Sequence, residues 1–182
     1  MWQFYDGDKE PSLRNSDDPQ IDLGDFRRAL SCFATGVAVA TTVDRNGECA
    51  GMTISSFNSV SLDPPLVLWS ISEDAYSYDA FIDAEYFAVS VLTVEQQHLS
   101  ARFATKGVDK FEGLDCREGL HGVPILPDYA ACFECRTEHQ HPGGDHRIIV
   151  GRVLRLDDRE TDPLILCRGQ FLKKEAPYPE DE

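Results

Sequence analysis

The first strong pattern in the sequence is an apolar stripe at helical spacing, formed by Leu23, Phe26, Leu30 and Phe33. Asp22 precedes this stripe and can cap a helix N-terminus, and Gly36 interrupts the pattern. We therefore predict a helix over residues 22–34 that packs as an ordinary amphipathic helix.

Most of the remaining pattern consists of short runs of β-branched and apolar residues, as in strands. Asn46-Gly47 marks a hairpin turn and Asp63-Pro64-Pro65 marks a second break. Strands are predicted over residues 37–43, 49–54, 56–62, 66–71, 86–92, 130–141, 145–156 and 163–168. Helices are predicted over residues 75–83 and 94–104, and residues 105–128 look irregular.

Several short strands with hairpin turns and few helices predict a mainly β fold with flanking helices, built as an antiparallel barrel. A dinucleotide-binding α/β fold would need regular strand–helix alternation, and no Gly-x-Gly-x-x-Gly motif occurs. We expect one domain over residues 21–175. It lies between a flexible acidic arm, residues 1–20, and an acidic tail, residues 176–182.

Charge narrows the choice of ligands. The chain has 32 acidic residues against 17 Lys and Arg, which gives a formal net charge of −15. Such a surface repels nucleic acid and anionic membranes, and it favours solubility. An anionic ligand would need cations, hydroxyls or N–H groups placed locally. With no long apolar run and no secretory signal, we expect a cytoplasmic protein.

The six cysteines include one pair, Cys132 and Cys135, with the spacing of a redox or zinc motif. The surrounding sequence reads as a strand, on which side chains three apart point to opposite faces. The sulfurs should therefore diverge, and we predict buried core cysteines.

The densest polar cluster spans residues 51–59 at a strand junction. Small side chains here would let a flat ligand approach main-chain N–H and C=O groups. The alternative is a polar strand pair whose Ser and Thr side chains face solvent.

Two further clusters could hold an anion. Ser70, Ser72, Tyr76, Ser77 and Tyr78 follow a strand and surround a helix start predicted near Ala75, where hydroxyls and N–H groups would meet. The second is a positive island in an acidic chain, formed by Arg102, Phe103, Lys106, Lys110 and Phe111. The alternatives are ordinary helix capping for the first and a solvated helix end for the second.

Three histidines, His139, His141 and His146, surround a glycine-rich turn. A four-residue turn would place His141 opposite His146, with His139 and His141 on one face. They could hold zinc or iron, or the turn could be an exposed ligand-contact loop. A single histidine there could also assist binding or proton transfer.

Taken in order, these segments resemble the flavin reductase-like family of split-barrel flavoproteins, which includes the reductase components of two-component monooxygenases. The resemblance covers about residues 26–169. It is carried by Phe26-Arg27-Arg28-Ala29-Leu30, Phe33-Ala34-Thr35-Gly36-Val37, Gly51-Met52-Thr53-Ile54-Ser55-Ser56-Phe57, Ser59-Val60-Ser61-Leu62-Asp63-Pro64-Pro65-Leu66, Phe87-Ala88-Val89-Ser90-Val91-Leu92, Arg102-Phe103-Ala104, Gly143-Gly144-Asp145-His146 and Arg168-Gly169.

The resemblance implies a six-stranded antiparallel split β-barrel that forms a homodimer with flavin sites near the interface. It implies that FMN or FAD is held by Met52, Thr53, Ile54, Ser55 and Ser56, with Thr35 and Gly36 nearby. It further implies phosphate contacts in the regions of Ser70, Ser77, Phe103 and Lys110.

The resemblance also places His146 near a nicotinamide. We expect no metal ligands among the site residues. The implied activity is hydride transfer from NADH or NADPH to the flavin, which would supply a partner monooxygenase. The alternative within the same fold is a flavin-binding or electron-transfer protein without reductase activity.

Overall fold

The computed structural model of the protein describes residues 21–172, so the predicted arm (1–20) and tail (176–182) lie outside the described residues. The helices are α1 (Leu23–Leu30), α2 (Tyr78–Asp83) and α3 (Gln97–Ala104), the last preceded by a 3-10 turn at Val94–Gln96. The strands are β1 (Thr35–Gly36), β2 (Ala38–Val43), β3 (Cys49–Ile54), β4 (Asn58–Leu62), β5 (Pro65–Ser72), β6 (Tyr86–Val91), β7 (Arg117–Glu118), β8 (Pro124–Ile125), β9 (Ala131–Gly143), β10 (His146–Asp158), β11 (Ile165–Cys167) and β12 (Gln170–Leu172).

The main sheet is antiparallel and has the order β3-β2-β6-β9-β10-β5-β4. Inward side chains from β2, β3, β5, β6, β9 and β10 share one apolar core, so the sheet curls into a barrel. Trp69 is fully buried in it, with Phe81 and Phe87 packed edge-on at 4.9 and 6.0 Å between ring centroids. The six-stranded prediction holds for this barrel wall, and β4 extends the sheet beyond β5 as a seventh strand.

One serine extends the pairing of β4 with β5. The Ser56 hydroxyl donates to the Ser70 carbonyl at 3.2 Å and accepts the Ser70 N–H at 3.0 Å. Ser56 lies two residues before β4, and Asn58, the first residue of β4, pairs with Leu68. The Ser56 hydroxyl therefore continues the contact between these two strands beyond the end of their ladder.

Helix α1 differs most from its prediction. It ends at Leu30, because Ser31 caps it and the chain turns towards β1. No α1 side chain is buried, and its apolar stripe faces outwards, with Leu30 54% and Phe33, just beyond the helix, 72% exposed. The opposite face, with Asp25 and Arg28, is the half-buried one. Packing as an ordinary amphipathic helix was therefore wrong for a single chain.

Other differences are smaller. Helix α2 begins at Tyr78 and not near Ala75, because backbone turns such as Ala75 N–H to Ser72 C=O occupy the intervening residues. The stretch 105–128 contains the short hairpin of β7 and β8. The final strand, β12, was not predicted. No helix within the described range is long and apolar enough to cross a bilayer.

The divergence of the cysteine pair is confirmed. Cys135 lies in the barrel core, whereas Cys132 packs on the other side of β9 against the cluster around Ile125 and Tyr129. Burial raises the pKa of Cys132 to about 11 and that of Cys135 to about 12. Both thiols are protonated at neutral pH, which makes them poor nucleophiles.

Candidate functional site

Lys110 joins two of the predicted clusters. Its Nζ donates to the Gly51 carbonyl on β3 and to the Phe103 carbonyl on α3, both at 2.9 Å. Phe103 and Phe111 pack edge to face at 5.2 Å, and a Cβ on Gly51 would lie within 3.1 Å of both rings. The absence of a side chain at Gly51 therefore lets α3 and the Lys110 loop pack directly on β3.

Lys110 is a half-buried cation without a counter-ion. Desolvation lowers its pKa, and no carboxylate within residues 21–172 forms an ion pair with it. In a chain of net charge −15 this is an unusual arrangement. Since Nζ has three protons and two are used, one remains for an external anion.

The main-chain edge of β3 is the second feature of the site. In the described sheet β3 is an end strand whose hydrogen-bonded neighbour is β2. The Gly51 carbonyl is reached by Lys110, so the Gly51 peptide groups point away from β2. Because main-chain groups alternate along an antiparallel strand, those of Thr53 point the same way. A flat ligand could pair with this edge.

Two hydroxyls of the predicted ring-binding segment have partners within the fold. Thr53 Oγ1 donates to the Ser100 carbonyl at 2.6 Å and holds α3 on β3. The Ser56 hydroxyl bridges to Ser70 as described above. Met52 is half-buried against the barrel core, and Ile54 is buried within it. The main chain of this segment is therefore better placed for a ligand than these side chains.

Thr35 and Gly36 lie beside this segment. They form β1, which pairs with Leu166 and Ile165 of β11. The next strand begins with Ala38, whose partner on β3 is Ile54. The chain before Ala38 therefore runs near Ser55, just past the end of the β2–β3 ladder.

Ser77 and Lys110 line one cleft of about 580 Å³, together with Gly51 and Phe111. Ser77 is buried and its hydroxyl makes no capping hydrogen bond. The predicted anion site at a helix start near Ala75 is not formed, because α2 begins at Tyr78 and is only six residues long. What remains of that prediction is that Ser77 lines the same cleft as Lys110.

His146 opens β10 directly after a two-residue turn. It pairs with Gly143, and His141 pairs with Ile148, so the predicted pairing of His141 with His146 was wrong. The four-residue loop is replaced by Gly144-Asp145, where Gly144 has the positive φ of +71° that a tight hairpin needs at its first position. The predicted shared face of His139 and His141 is confirmed by ring centroids 5.9 Å apart.

Strand β10 also pairs with β5, where Ser72 lies opposite His146 and Ser70 lies opposite Ile148. Trp69 and Ile71 point into the barrel, so Ser70 and Ser72 lie on the opposite face, with His146. The histidine cluster gives no metal site, because no three His, Cys, Asp or Glu side chains in the described range group as ligands.

Asp145 has a contact with His146 that was not predicted from the sequence. Its Oδ1 lies 2.7 Å from His146 Nδ1, and this hydrogen bond lowers the pKa of Asp145. An ionised carboxylate only accepts, so Nδ1 carries the proton and Nε2 of a neutral ring keeps its lone pair. Adjacency in Gly143-Gly144-Asp145-His146 was the signal available in the sequence.

Comparison with known proteins agrees with this geometry. A family model described as "Flavin reductase like domain" matches residues 30–174. The chain is 49% identical over 146 residues to FMN reductase (NADH) SmoA of Agrobacterium fabrum, covering 80% of this chain and 83% of that protein. It is 42% identical over 152 residues to HsaB of Rhodococcus jostii, a flavin-dependent monooxygenase reductase subunit, covering 83% and 77%.

Solved structures show the same fold. The Streptomyces globisporus NADH:FAD oxidoreductase SgcE6, in complex with NAD and FAD fragments, superposes with a TM-score of 0.81 at 34% identity, over 92% of this chain and all of that one. The flavin reductase PheA2 gives a TM-score of 0.77 at 35% identity, over 86% and 100%. The barrel is therefore a split barrel, and the chain belongs to the flavin reductase-like family.

Proposed function

We propose that this protein is an NADH- or NADPH-dependent flavin reductase that reduces FMN or FAD for a partner monooxygenase. The observation that carries the proposal is the half-buried, unpaired ammonium of Lys110 beside the free main-chain edge of β3. This pairing suits a ligand with a flat polar ring and a phosphate. Relatives named as NADH-dependent FMN reductase and as monooxygenase reductase subunits support the same conclusion.

The residues present fit a flavin. The outward N–H and C=O groups of Thr53 can pair with the pyrimidine edge of the ring, and the chain through Thr35 and Gly36 runs near Ser55. The free proton of Lys110 and the hydroxyl of Ser77 can bind a phosphate. When bound, the flavin supplies the hydride acceptor, its N5 atom, for the C4 hydride of a reduced nicotinamide.

The protein's task is alignment, because hydride transfer needs no strong acid or base. His146 Nε2, with its lone pair set by Asp145, can accept an N–H from the nicotinamide carboxamide. The Glu73 N–H donates to the Asp145 carbonyl at 3.0 Å and fixes the turn against the end of β5. His146 is thus held on the same face as Ser70 and Ser72.

The direct test of this function is oxidation of NADH and NADPH, followed at 340 nm with FMN and with FAD. Purified protein should oxidise a reduced nicotinamide only when flavin is present, and gel filtration should show whether reduced flavin is released. Tight flavin binding without nicotinamide oxidation would reject the reductase and favour the electron-transfer alternative.

Replacing His146 with alanine should impair nicotinamide use more than flavin binding. We expect the KM for NADH to rise by about tenfold, the value of one lost hydrogen bond in an aligned site, while the Kd for FMN changes by less than about twofold. His141→Ala, an exposed histidine on the same hairpin, is the control and should leave both constants unchanged. Equal losses in both constants for His146→Ala would contradict its assigned role.

We further propose a homodimer in which a second copy covers α1. The stripe of Leu23, Phe26, Leu30 and Phe33 is 48–72% exposed, while Asp25 and Arg28 on the opposite face of the helix are half-buried. This orientation of the helix is unfavourable in a monomer, because its apolar side chains stay in contact with water.

Leu30→Glu should therefore yield a monomer. Static light scattering after gel filtration should give twice the chain mass for the wild type and a single chain mass for the variant. Ala101→Glu, which adds the same charge at an exposed position of α3, should remain dimeric. A monomeric wild type, or a dimeric Leu30→Glu protein, would remove this interface.

A further inference from the structure

The cleft beside Lys110 has a strongly asymmetric charge. Apart from Lys110, its single basic side chain is Arg45, within the part of the chain that the structure describes. Five carboxylates line the same space: Asp44, Glu48, Asp79, Asp83 and Asp109. Apart from the half-buried Lys110 and Arg45, the charged side chains that line the cleft are thus all negative.

The two basic side chains of the cleft, Arg45 and Lys110, are both partly occupied by contacts within the protein. Arg45 is paired with Asp83 across the cleft at 2.6 Å. Two of the three Lys110 protons are held by the Gly51 and Phe103 carbonyls. One ammonium proton therefore remains, which is enough for one phosphate group and leaves nothing for a second.

Main-chain hydrogen bonds hold two of these carboxylates, Asp44 and Asp109, in place. Asp44 accepts main-chain N–H groups from Asn46 and Glu48, and hydrogen bonding of this kind lowers its pKa. Asp109, next to Lys110 in the chain, accepts the N–H groups of Phe111 and Glu112 at 3.0 and 3.1 Å. These bonds fix the carboxylates at the cleft wall, so they cannot turn away from an incoming anion.

From this arrangement we infer that the cleft selects FMN over FAD, because it accommodates one phosphate and repels a second. The inference rests on the proposed flavin reductase function and names the substrate within it. FMN places its single phosphate at Lys110 and Ser77. FAD carries a second phosphate and an adenosine attached to the first, and these must enter the carboxylate-lined remainder of the cleft. The second phosphate and these carboxylates carry charge of the same sign, so they repel each other.

The test compares equilibrium binding of riboflavin, FMN and FAD to the full-length protein by fluorescence titration. At low salt, FMN should bind at least about tenfold more tightly than FAD, and the ratio should shrink at about 0.5 M NaCl through screening. In Asp79→Asn/Asp109→Asn, FAD binding should tighten by about tenfold while FMN changes by less than about threefold. Asparagine keeps an oxygen at position 109 to accept the same N–H groups.

Glu95→Gln/Glu118→Gln is the matched control, since it removes two exposed charges outside the cleft. It should leave the FMN to FAD ratio unchanged, which separates the local effect from the net charge. Equal affinity for FMN and FAD would overturn the inference, and so would an unaltered ratio of the two affinities in Asp79→Asn/Asp109→Asn. The proposed reductase function would stand in either case. Failure to bind any flavin would instead reject the proposed function itself.

Discussion

Replacing Lys110 with methionine is expected to weaken FMN binding by about tenfold to a hundredfold and to leave riboflavin binding unchanged. The ammonium is half-buried and faces the cleft without a carboxylate partner, so a phosphate there gains a charge-assisted hydrogen bond at little further desolvation cost. Riboflavin has no phosphate and cannot lose this interaction. Fluorescence titration of both flavins against the same variant measures the difference.

Lys106→Met is the matched control for this variant. Lys106 belongs to the same positive island but is exposed and does not line the cleft. It should alter FMN affinity by less than about twofold, the effect of one screened surface charge. If riboflavin binding fell in parallel with FMN binding in Lys110→Met, the lysine would act by holding the Gly51 and Phe103 carbonyls rather than by contacting phosphate.

The strands of the barrel wall could be predicted because short stretches of sequence specify them. Alternating and β-branched runs gave strands β2, β3, β5, β6, β9 and β10 within a few residues. Asn46-Gly47 formed the expected turn, with the Asp44 N–H bonded to the Glu48 carbonyl and Gly47 at a φ of +85°. These strands and this turn depend mainly on residues that are close together in the sequence, so one sequence is enough to predict them.

Helix α1 shows where a local pattern misleads. Its stripe satisfies every rule for an amphipathic helix packed on its own domain, yet that stripe points away from the barrel. The periodicity specifies which face is apolar and not which surface covers it. The hairpin turn failed for a related reason: Pro142-Gly143-Gly144-Asp145 is compatible with several loop lengths, and only the ladder between β9 and β10 selects one.

The candidate site was predictable mainly through resemblance. Lys110 reaches Gly51 across 59 residues of sequence, and Thr53 reaches Ser100 across 47, with no local signal for either contact. The sequence did indicate that small residues at 51–59 leave the main chain accessible. It could not show that the Ser56 hydroxyl is bonded to the main chain of β5, because that depends on where Ser70 lies after folding.

Gly151→Ala should destabilise the protein by about 2–3 kcal/mol, which is at the upper end for overpacking a core. A Cβ at this position would lie 2.9 Å from Phe87 Cε1, closer still to Phe87 Cζ, and 3.0 Å from Cys135 Cβ. Phe87 is 2% exposed and packed on Trp69, so it cannot move away without disturbing the barrel core. The melting temperature at fixed protein concentration should fall by about 5–10 °C.

Gly36→Ala provides the matched control, since Gly36 is also a strand glycine but has no atom within 4 Å of an added Cβ. It should be neutral or slightly stabilising because alanine restricts the unfolded chain. In the Gly151→Ala background, Phe87→Leu should cost less than it does alone, since the smaller side chain relieves the overlap. Additive losses in this double-mutant cycle would show that the two positions are not in contact, and the packing of the barrel around Gly151 would then differ from the one described.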